Sequence, residues 1–124
     1  MPKHFEKKIV NFTAKQMYEL VADIDNYREF LPWCNDSKII EITNIDNEKK
    51  TLIADLEIGY KDLVYTYRSN VLLNNQELTI KVDFVHGPFK NLDNSWVFKK
   101  IDDQSCEIEF FIDFELNVGV LNLL

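Results

Sequence analysis

The sequence predicts an α+β domain in which a short helix packs on one face of an antiparallel sheet. Three observations support this class. Near the start of the chain, apolar residues recur at the three- and four-residue spacing of a helix, and beyond Lys38 they recur at every second residue. Short clusters of Asp, Asn and Gly separate the alternating segments, as in a meander of hairpins. A helix followed by a run of strands is typical of α+β folds.

Length and composition favour one globular domain. The chain has 124 residues, of which 46 % are hydrophobic and 28 % charged, and these are ordinary values for a globular protein. They exclude a disordered, collagen-like or coiled-coil chain, and no linker, repeat or low-complexity tract divides the sequence. We therefore expect residues 1–124 to form a single domain.

Charge and cysteine content narrow the expected partners and compartment. The net charge of −7 repels nucleic-acid phosphates, so DNA is not an expected partner. Cys34 and Cys106 lie far apart and outside any zinc-binding spacing, which favours two reduced thiols. The sequence contains no apolar targeting segment and no apolar stretch of about 18 residues. It thus predicts a cytoplasmic protein.

The first helix has a clear start signal. A strand over Phe5–Val10 is expected to precede it, and Thr13 with Gln16 has the spacing of a capping box. An apolar stripe then predicts a helix over about Ala14–Asp23. The members of the stripe are Met17, Leu20, Val21 and Ile24.

A second short helical turn is expected just after the first helix. Asp25 and Asn26 are residue types that cap helices, and Pro32 disfavours helical backbone in the residue before it. The turn is therefore expected to extend from Tyr27 to Leu31.

About six strands follow, each with one apolar face. Four segments alternate apolar and polar residues, which indicates half-buried strands. The alternating apolar positions are Leu52, Ala54, Leu56 and Ile58; Leu63, Tyr65 and Tyr67; Leu78, Ile80, Val82 and Phe84; and Cys106, Ile108, Phe110, Ile112 and Phe114. Turns are expected at Asp46-Asn47, Gly59, Asn74-Asn75, Gly87-Pro88 and Asp102-Asp103.

One predicted helix is too small to cover the predicted sheet. Roughly six or seven strands at about 4.8 Å spacing make a sheet about 30 Å wide, whereas a ten-residue helix is about 15 Å long and about 10–12 Å across. Sheet curvature, a second helix, a partner or an apolar ligand must cover the rest of the apolar face. Residues 116–124 are the only candidate for a second helix, and their apolar pattern continues to the last residue.

The sequence carries no recognisable catalytic or metal-binding motif. It lacks the nucleotide-binding, nucleophile and zinc-protease signatures. His86 precedes a Gly-Pro turn and lies far from His4, which favours a turn residue over a general base or metal ligand. Glu107 and Glu109 share a strand face that we expect to be solvated. We therefore predict no catalytic residue, no metal site and no required cofactor.

Two aromatic-rich segments carry a family resemblance. The first is Asp23–Cys34, with the run Phe30-Leu31-Pro32-Trp33-Cys34, and the second is Gly87–Leu92, followed by Trp96 and Phe98. Together with Ala54–Tyr60, they resemble the signatures of the coenzyme Q-binding and ribosome-association-toxin family, in the START-like, polyketide-cyclase-related superfamily. The resemblance covers essentially the whole chain.

The resemblance implies a helix-grip fold. In this fold a curved antiparallel sheet of about six or seven strands carries N-terminal helices and wraps around a long C-terminal helix, with an apolar tunnel between sheet and helix. Family members continue beyond the position of Leu124. We therefore expect residues 1–124 to be a START-like lipid-binding domain whose C-terminal helix is largely absent, leaving an open apolar groove.

For one branch of the family, the resemblance implies non-enzymatic binding or chaperoning of a polyisoprenoid quinone such as ubiquinone, in support of respiratory electron transport. Leu31, Pro32 and Trp33 are then expected to form the entrance of the groove and to contact the inner surface of the membrane transiently, although local physics alone favours folding of this segment onto the core. The residues expected to line the groove are Tyr65, Tyr67, Phe84, Trp96, Phe110 and Phe114. Arg68 could face a quinone head group, but the sequence favours an exposed ion pair.

The other branch is described as binding the large ribosomal subunit and blocking subunit association. The net charge of −7 disfavours broad contact with ribosomal RNA. The pairs Lys7-Lys8, Lys49-Lys50 and Lys99-Lys100 could form basic patches if they cluster in space. A third class, a cyclase or aromatase, is allowed by the superfamily but has no supporting residues.

Overall fold

A computed structural model describes residues 3–32, 34–60, 63–87 and 89–116 as a curved antiparallel sheet with short helices. The sheet has seven strands in the order β1-β7-β6-β5-β4-β3-β2. The strands are β1 (Lys3–Val10), β2 (Cys34–Asn44), β3 (Lys49–Tyr60), β4 (Leu63–Asn74), β5 (Thr79–His86), β6 (Phe89–Asp102) and β7 (Ser105–Leu116). The helices are α1 (Ala14–Ala22) and α2 (Tyr27–Phe30), which are joined by a 3₁₀ turn over Ile24–Asn26. The predicted α+β class is confirmed.

Helix α1 begins where the sequence predicts. The backbone N–H of Gln16 donates to Thr13 Oγ1 at 3.1 Å, and the backbone N–H of Thr13 donates to Gln16 Oε1 at 2.9 Å. This capping box satisfies two backbone donors that would otherwise lack partners at the start of the helix. The helix ends at Ala22, and Asp23 closes it with a backbone hydrogen bond to the Leu20 carbonyl.

Asp and Asn side chains close three of the hairpin turns. The Oδ1 atoms of Asp46, Asn74 and Asp102 accept hydrogen bonds from backbone N–H groups two or three residues further on, at 2.8 to 3.1 Å. These short side chains can supply acceptors that the turning backbone lacks. The turns predicted at these three positions are confirmed.

The strand register places the apolar alternation on one side of the sheet, here called the inner face. Residues paired across an antiparallel ladder point to the same side. The pair Leu52 and Val71 joins β3 to β4 on this face, and the pair Ile80 and Trp96 joins β5 to β6. The period-two pattern of the sequence thus becomes one continuous apolar surface.

Helix α1 covers one end of the inner face. It packs against β5, β6 and β7, and the ring of Tyr18 meets the ring of Phe98 edge-on, with centroids 6.2 Å apart. Beneath the helix, Phe98 is 3 % exposed and Cys106 is fully buried. Both cysteines are free and buried, which agrees with the predicted reduced thiols.

Strand β2 begins earlier than the sequence pattern indicates. It starts at Cys34 rather than beyond Lys38, because residues 34–38 already pair with β3. Register shifts after Cys34 and after Ile39 interrupt the ladder. Each shift breaks the period-two alternation, so the pattern does not reveal the first part of the strand.

Two predicted turn features are wrong. Gly59 lies inside β3 rather than at a turn. Asn26 stands at the start of α2 but makes no capping hydrogen bond; its amide donates to the Asp23 carboxylate at 2.6 Å. Asp25 instead accepts a hydrogen bond from the backbone N–H of Ile39 at 2.9 Å, so it ties the 3₁₀ turn to β2.

The predicted second-helix segment is mostly outside the residues that the structure describes. Its first residue, Leu116, ends β7, and residues 117–124 are not described. Trp33 is also outside the described residues. Among the described helices, none has the length and apolar character needed to cross a membrane.

Candidate functional site

The candidate site is an apolar cavity of about 400 Å³ on the inner face. Ile24 of the 3₁₀ turn and Tyr27 of α2 contribute to its wall from the helical side. The sheet contributes Leu56, Tyr67, Ser69, Val71, Ile80, Val82, Asn94, Trp96, Phe110 and Ile112, from five consecutive strands. The volume is within the range of roughly 300–1,000 Å³ that is typical of small-molecule sites.

Strand pairing explains why these side chains converge. Leu56 pairs with Tyr67 across β3 and β4, and Trp96 pairs with Phe110 across β6 and β7. The Trp96 and Phe110 ring centroids are 4.7 Å apart with the planes inclined at 64°. Trp96 also stacks on Phe98, which connects the cavity wall to the core beneath α1.

A second group of rings lies beside the cavity and is here called the Phe89 cluster. The ring of Phe89 contacts Tyr67 at 5.6 Å, Phe84 at 6.2 Å and Phe114 at 6.2 Å between centroids, in each case edge to face. A Cβ atom at Gly87 would lie 2.5 Å from Cβ of Tyr67, so only glycine allows the β5–β6 turn to approach this closely.

The structure divides the predicted groove residues into two groups. Tyr67, Trp96 and Phe110 line the cavity. Phe84 and Phe114 are not among the lining residues, and each packs against the ring of Phe89. The expectation that they line the cavity directly is therefore corrected.

Tyr65 also lies outside the cavity wall. It pairs with Ile58 near the β3–β4 hairpin, two residues further along the strand from Tyr67, and is half-buried. The alternation pattern predicts which face of the sheet Tyr65 is on, but it does not predict how far along the strand the cavity extends. A role for Tyr65, Phe84 and Phe114 in binding a ligand remains a prediction.

The predicted entrance segment is described only in part. Leu31 is half-buried and packs against the core, as local physics favoured, whereas Pro32 is exposed. Trp33 lies outside the described residues. The entrance role of these three residues remains a prediction.

Two phenols and a thiol at the helical end of the cavity all remain protonated at neutral pH. Burial raises the pKa of Tyr67 to about 12, with a smaller contribution from the nearby Cys34 thiol. Burial also raises the pKa of Tyr27 well above its ordinary value, with Tyr67 and Asp23 adding to the shift. The pKa of Cys34 is raised by burial as well. None of these groups therefore brings a charge to the cavity.

Sequence reasoning missed two polar residues in the wall, Ser69 and Asn94. The Asn94 amide donates to the carbonyl of Phe111 at 2.8 Å and accepts from the Trp96 indole N–H at 3.2 Å. Their positions in the sequence could have identified them, because Ser69 and Asn94 each stand two residues from a predicted site residue on the same strand and so share its face. Both side chains are polar, so the apolar alternation of the strands does not reveal them.

The described residues bring together no acid–base or metal constellation at the cavity. Among them, no group of three His, Cys, Asp or Glu side chains could hold a metal ion. His86 is exposed at the end of β5 and is not part of the cavity wall.

Charged residues considered in the sequence lie on the opposite, outer face. Arg68 makes a two-pronged ion pair with Asp55, with N–O distances of 2.7 and 2.9 Å, so the ion-pair interpretation is confirmed. Glu109 contacts Lys99 at 2.9 Å and Lys7 at 3.5 Å, and only 15 % of its side chain is exposed. Glu109 thus lies in an ion-pair network with two exposed lysines on the solvated outer face, whose long side chains partly cover its carboxylate.

A larger groove of about 490 Å³ lies between α1 and the β2–β3 hairpin. Its rim is formed by exposed charged residues, including Asp46, Glu48, Lys49 and Lys50. A charged and open rim gives an apolar ligand little surface to bury. We therefore take the smaller, apolar cavity as the candidate site.

The comparison with protein families gives a decisive match. The model of the polyketide cyclase/dehydrase and lipid transport family matches residues 10–124. The chain belongs to this family. The match includes both helices, every strand from β2 to β7 and all residues that line the cavity.

Two relatives within the family are close in sequence. Over 123 residues the chain is 36 % identical to the ribosome association toxin RatA of Escherichia coli strain K12, a match covering 99 % of this chain and 74 % of that protein. Over 116 residues it is 30 % identical to the mitochondrial coenzyme Q-binding protein COQ10 homolog B of Xenopus laevis, covering 91 % of this chain and 46 % of that protein. The resemblance seen in the sequence is confirmed.

A solved structure confirms the START-like fold class. A START superfamily protein from Mycobacterium smegmatis superposes with a TM-score of 0.79 over 93 % of this chain and 77 % of that protein. The two sequences are 14 % identical, so this likeness concerns the fold alone.

Proposed function

We propose that this family member is a non-enzymatic binding protein or chaperone for a polyisoprenoid quinone such as ubiquinone, in support of respiratory electron transport. The observation that carries the proposal is the composition of the cavity wall, which is apolar with a few neutral polar groups and no charged side chain. Such a wall favours an uncharged, largely apolar ligand, because a charged ligand would lose its hydration without a paired charge. The name of the coenzyme Q-binding relative supports the same ligand class.

The aromatic wall suits a flat ring joined to a hydrocarbon tail. Burial of apolar ligand surface stabilises a complex by about 25 cal/mol per Å² before ordering costs are subtracted. Trp96 and Phe110 are already fixed by mutual ring contact, so few side chains need to be ordered when a ligand enters. In this proposal the chain supplies shape and apolar surface, and it performs no bond-making step.

The proposal is tested by adding decylubiquinone to the purified chain. Quenching of tryptophan fluorescence measures its uptake. Val82→Phe places an additional ring in the cavity wall, and we expect it to weaken uptake about tenfold. Val64→Phe is the matched control, because it adds the same ring at a position that is 56 % exposed. Mass spectrometry of solvent extracts is expected to detect a quinone in native protein.

Two results would contradict this function. One is the absence of quinone both from extracts and after addition of decylubiquinone. The other is equal uptake by the Val82→Phe and Val64→Phe variants, which would place any binding outside the cavity.

Association with the large ribosomal subunit is a second candidate function. It is favoured by the 36 % identity to a protein named ribosome association toxin. The predicted basic patches support it weakly, because Lys7 and Lys99 are both paired with Glu109 and are partly neutralised. Co-sedimentation with ribosomal subunits at low and high salt tests this candidate, and absence from the subunit fraction under both conditions would exclude it.

A further inference from the structure

The polar side chains of the cavity wall differ in whether they have partners inside the protein. Five are present: Tyr27, Tyr67, Ser69, Asn94 and Trp96. The Tyr27 hydroxyl donates to a backbone carbonyl of α1, the Ser69 hydroxyl to a backbone carbonyl of β3 at 3.4 Å, and Asn94 and Trp96 bond to each other. For the Tyr67 hydroxyl, no described residue is a hydrogen-bond partner.

The Tyr67 ring is held firmly although its hydroxyl has no such partner. The ring contacts Phe89 edge-on at 5.6 Å, and its strand position is fixed by pairing with Leu56. The backbone of Gly87 approaches so closely that a Cβ atom there would lie 2.5 Å from Tyr67 Cβ. The nearby Cys34 thiol donates elsewhere, to the carbonyl of Asp36 at 3.2 Å.

A cavity-wall hydroxyl without a described protein partner favours a specific ligand chemistry. Burial raises the pKa of Tyr67 to about 12, so the group carries its proton at neutral pH and can donate it in a hydrogen bond. The hydroxyl loses its contact with water when a ligand fills the cavity, and a ligand that supplies an acceptor offsets this cost. A carbonyl oxygen supplies an acceptor without adding charge to the apolar wall.

We infer that the Tyr67 hydroxyl is the polar recognition point of the cavity and donates a hydrogen bond to a carbonyl oxygen of an otherwise apolar ligand. The inference rests on the proposed function and adds to it the atom that selects the ligand and sets its direction. The carbonyl end lies next to Tyr27 and the Phe89 cluster, and the apolar part lies against Trp96 and Phe110.

The decisive variant is Tyr67→Phe, which removes the hydroxyl and keeps the ring. Two probes are used with the full chain: decylubiquinone, which has carbonyl oxygens, and squalene, a polyisoprenoid hydrocarbon without oxygen. Both are measured by displacement of a fluorescent apolar dye. We expect Tyr67→Phe to bind decylubiquinone about two- to tenfold more weakly, the range for one neutral hydrogen bond, and to bind squalene as the wild type does.

The matched control is Tyr18→Phe, which removes a tyrosine hydroxyl from α1, outside the cavity wall. It is expected to leave the affinity for both probes unchanged. The carbonyl stretching frequency of bound decylubiquinone gives a second readout that does not require a variant: a hydrogen bond lowers it in the wild type relative to an apolar solvent.

The outcomes separate this inference from the proposed function. Equal affinity of wild type and Tyr67→Phe for decylubiquinone, or a carbonyl frequency in the wild type equal to that in apolar solvent, would overturn the inference while leaving quinone binding intact. Uptake of neither probe by the wild type would overturn the proposed function and the inference together.

Discussion

The two ends of the inner face carry the same apolar alternation but pack differently. Beneath α1, Phe98 and Cys106 are almost completely buried, and the ring of Tyr18 closes over them. At the other end, the rings of Phe84 and Phe89 are only half-buried and lie beside a cavity of about 400 Å³. Helix α1 has nine residues and therefore spans only about 14 Å of the sheet. An apolar strand face thus becomes packed core or cavity wall according to what covers it.

The largest expected effect tests this contrast directly. Phe98→Ala removes a buried ring from the covered end and is expected to lower the free energy of unfolding by about 3–5 kcal/mol. Phe84→Ala removes the same ring from the cavity end, where it is half-buried, and is expected to cost less than half as much. Urea unfolding of both variants measures the difference, and equal losses would show that the two ends do not differ in packing.

A smaller effect is expected from loosening the cover. Thr13→Ala removes the side-chain cap of α1 and is expected to lower the free energy of unfolding by about 1 kcal/mol. Thr13→Ser retains a hydroxyl acceptor and is the control. Its free energy of unfolding is expected to fall by less than half as much as that of Thr13→Ala. A loss in Thr13→Ser as large as in Thr13→Ala would mean that the capping hydrogen bond does not stabilise the helix.

The smallest effect is expected on the outer face of the sheet, away from both the covered end and the cavity end of the inner face. The hydrogen bond from Arg68 lowers the pKa of the Asp55 carboxyl below its ordinary value of 3.8. Because the pKa of Asp55 is lowered in the folded state, the ion pair stabilises the protein at pH values above the ordinary pKa. This stabilisation is lost as the pH falls through the lowered pKa. Asp55→Asn is therefore expected to lose slightly in stability at pH 7 and progressively less below pH 4.

Urea unfolding of Asp55→Asn and wild type at a series of pH values measures this trend. The pair is partly exposed, so salt is expected to weaken the difference. A stability difference that grows as the pH falls would contradict the assigned role of Arg68. Ligand uptake is expected to be the same in both proteins, because the pair lies on the opposite side of the sheet from the cavity.

Local signals predicted those parts of the fold that depend on a few neighbouring residues. Thr13 and Gln16 form a capping box in isolation from the rest of the chain, and Asp46, Asn74 and Asp102 close their turns with side-chain bonds to nearby N–H groups. The early start of β2 was not predictable in this way. Its register shifts break the alternation, and its ladder is held by pairing with β3.

The candidate site was predictable as a surface but not as a shape. The alternation of Tyr67, Trp96 and Phe110 placed them on the inner face, and the structure brings them to the cavity wall. The same alternation also selected Phe84 and Phe114, which pack against the ring of Phe89 and are not part of the cavity wall. Ring contacts between different strands decide this division, and they depend on register and curvature rather than on spacing along the chain.

By itself, the sequence determined the class of the fold, the phase of each regular strand, the start of α1 and the family. These depend on backbone periodicity and on short-range hydrogen bonds, which act within a few residues. Only the tertiary structure decided which apolar residues become core, which line a cavity, and which polar group there has no hydrogen-bond partner among the described residues. Tyr65 and Tyr67 have the same residue type and the same phase. Only the tertiary structure places Tyr67, and not Tyr65, in the cavity wall beside Phe89.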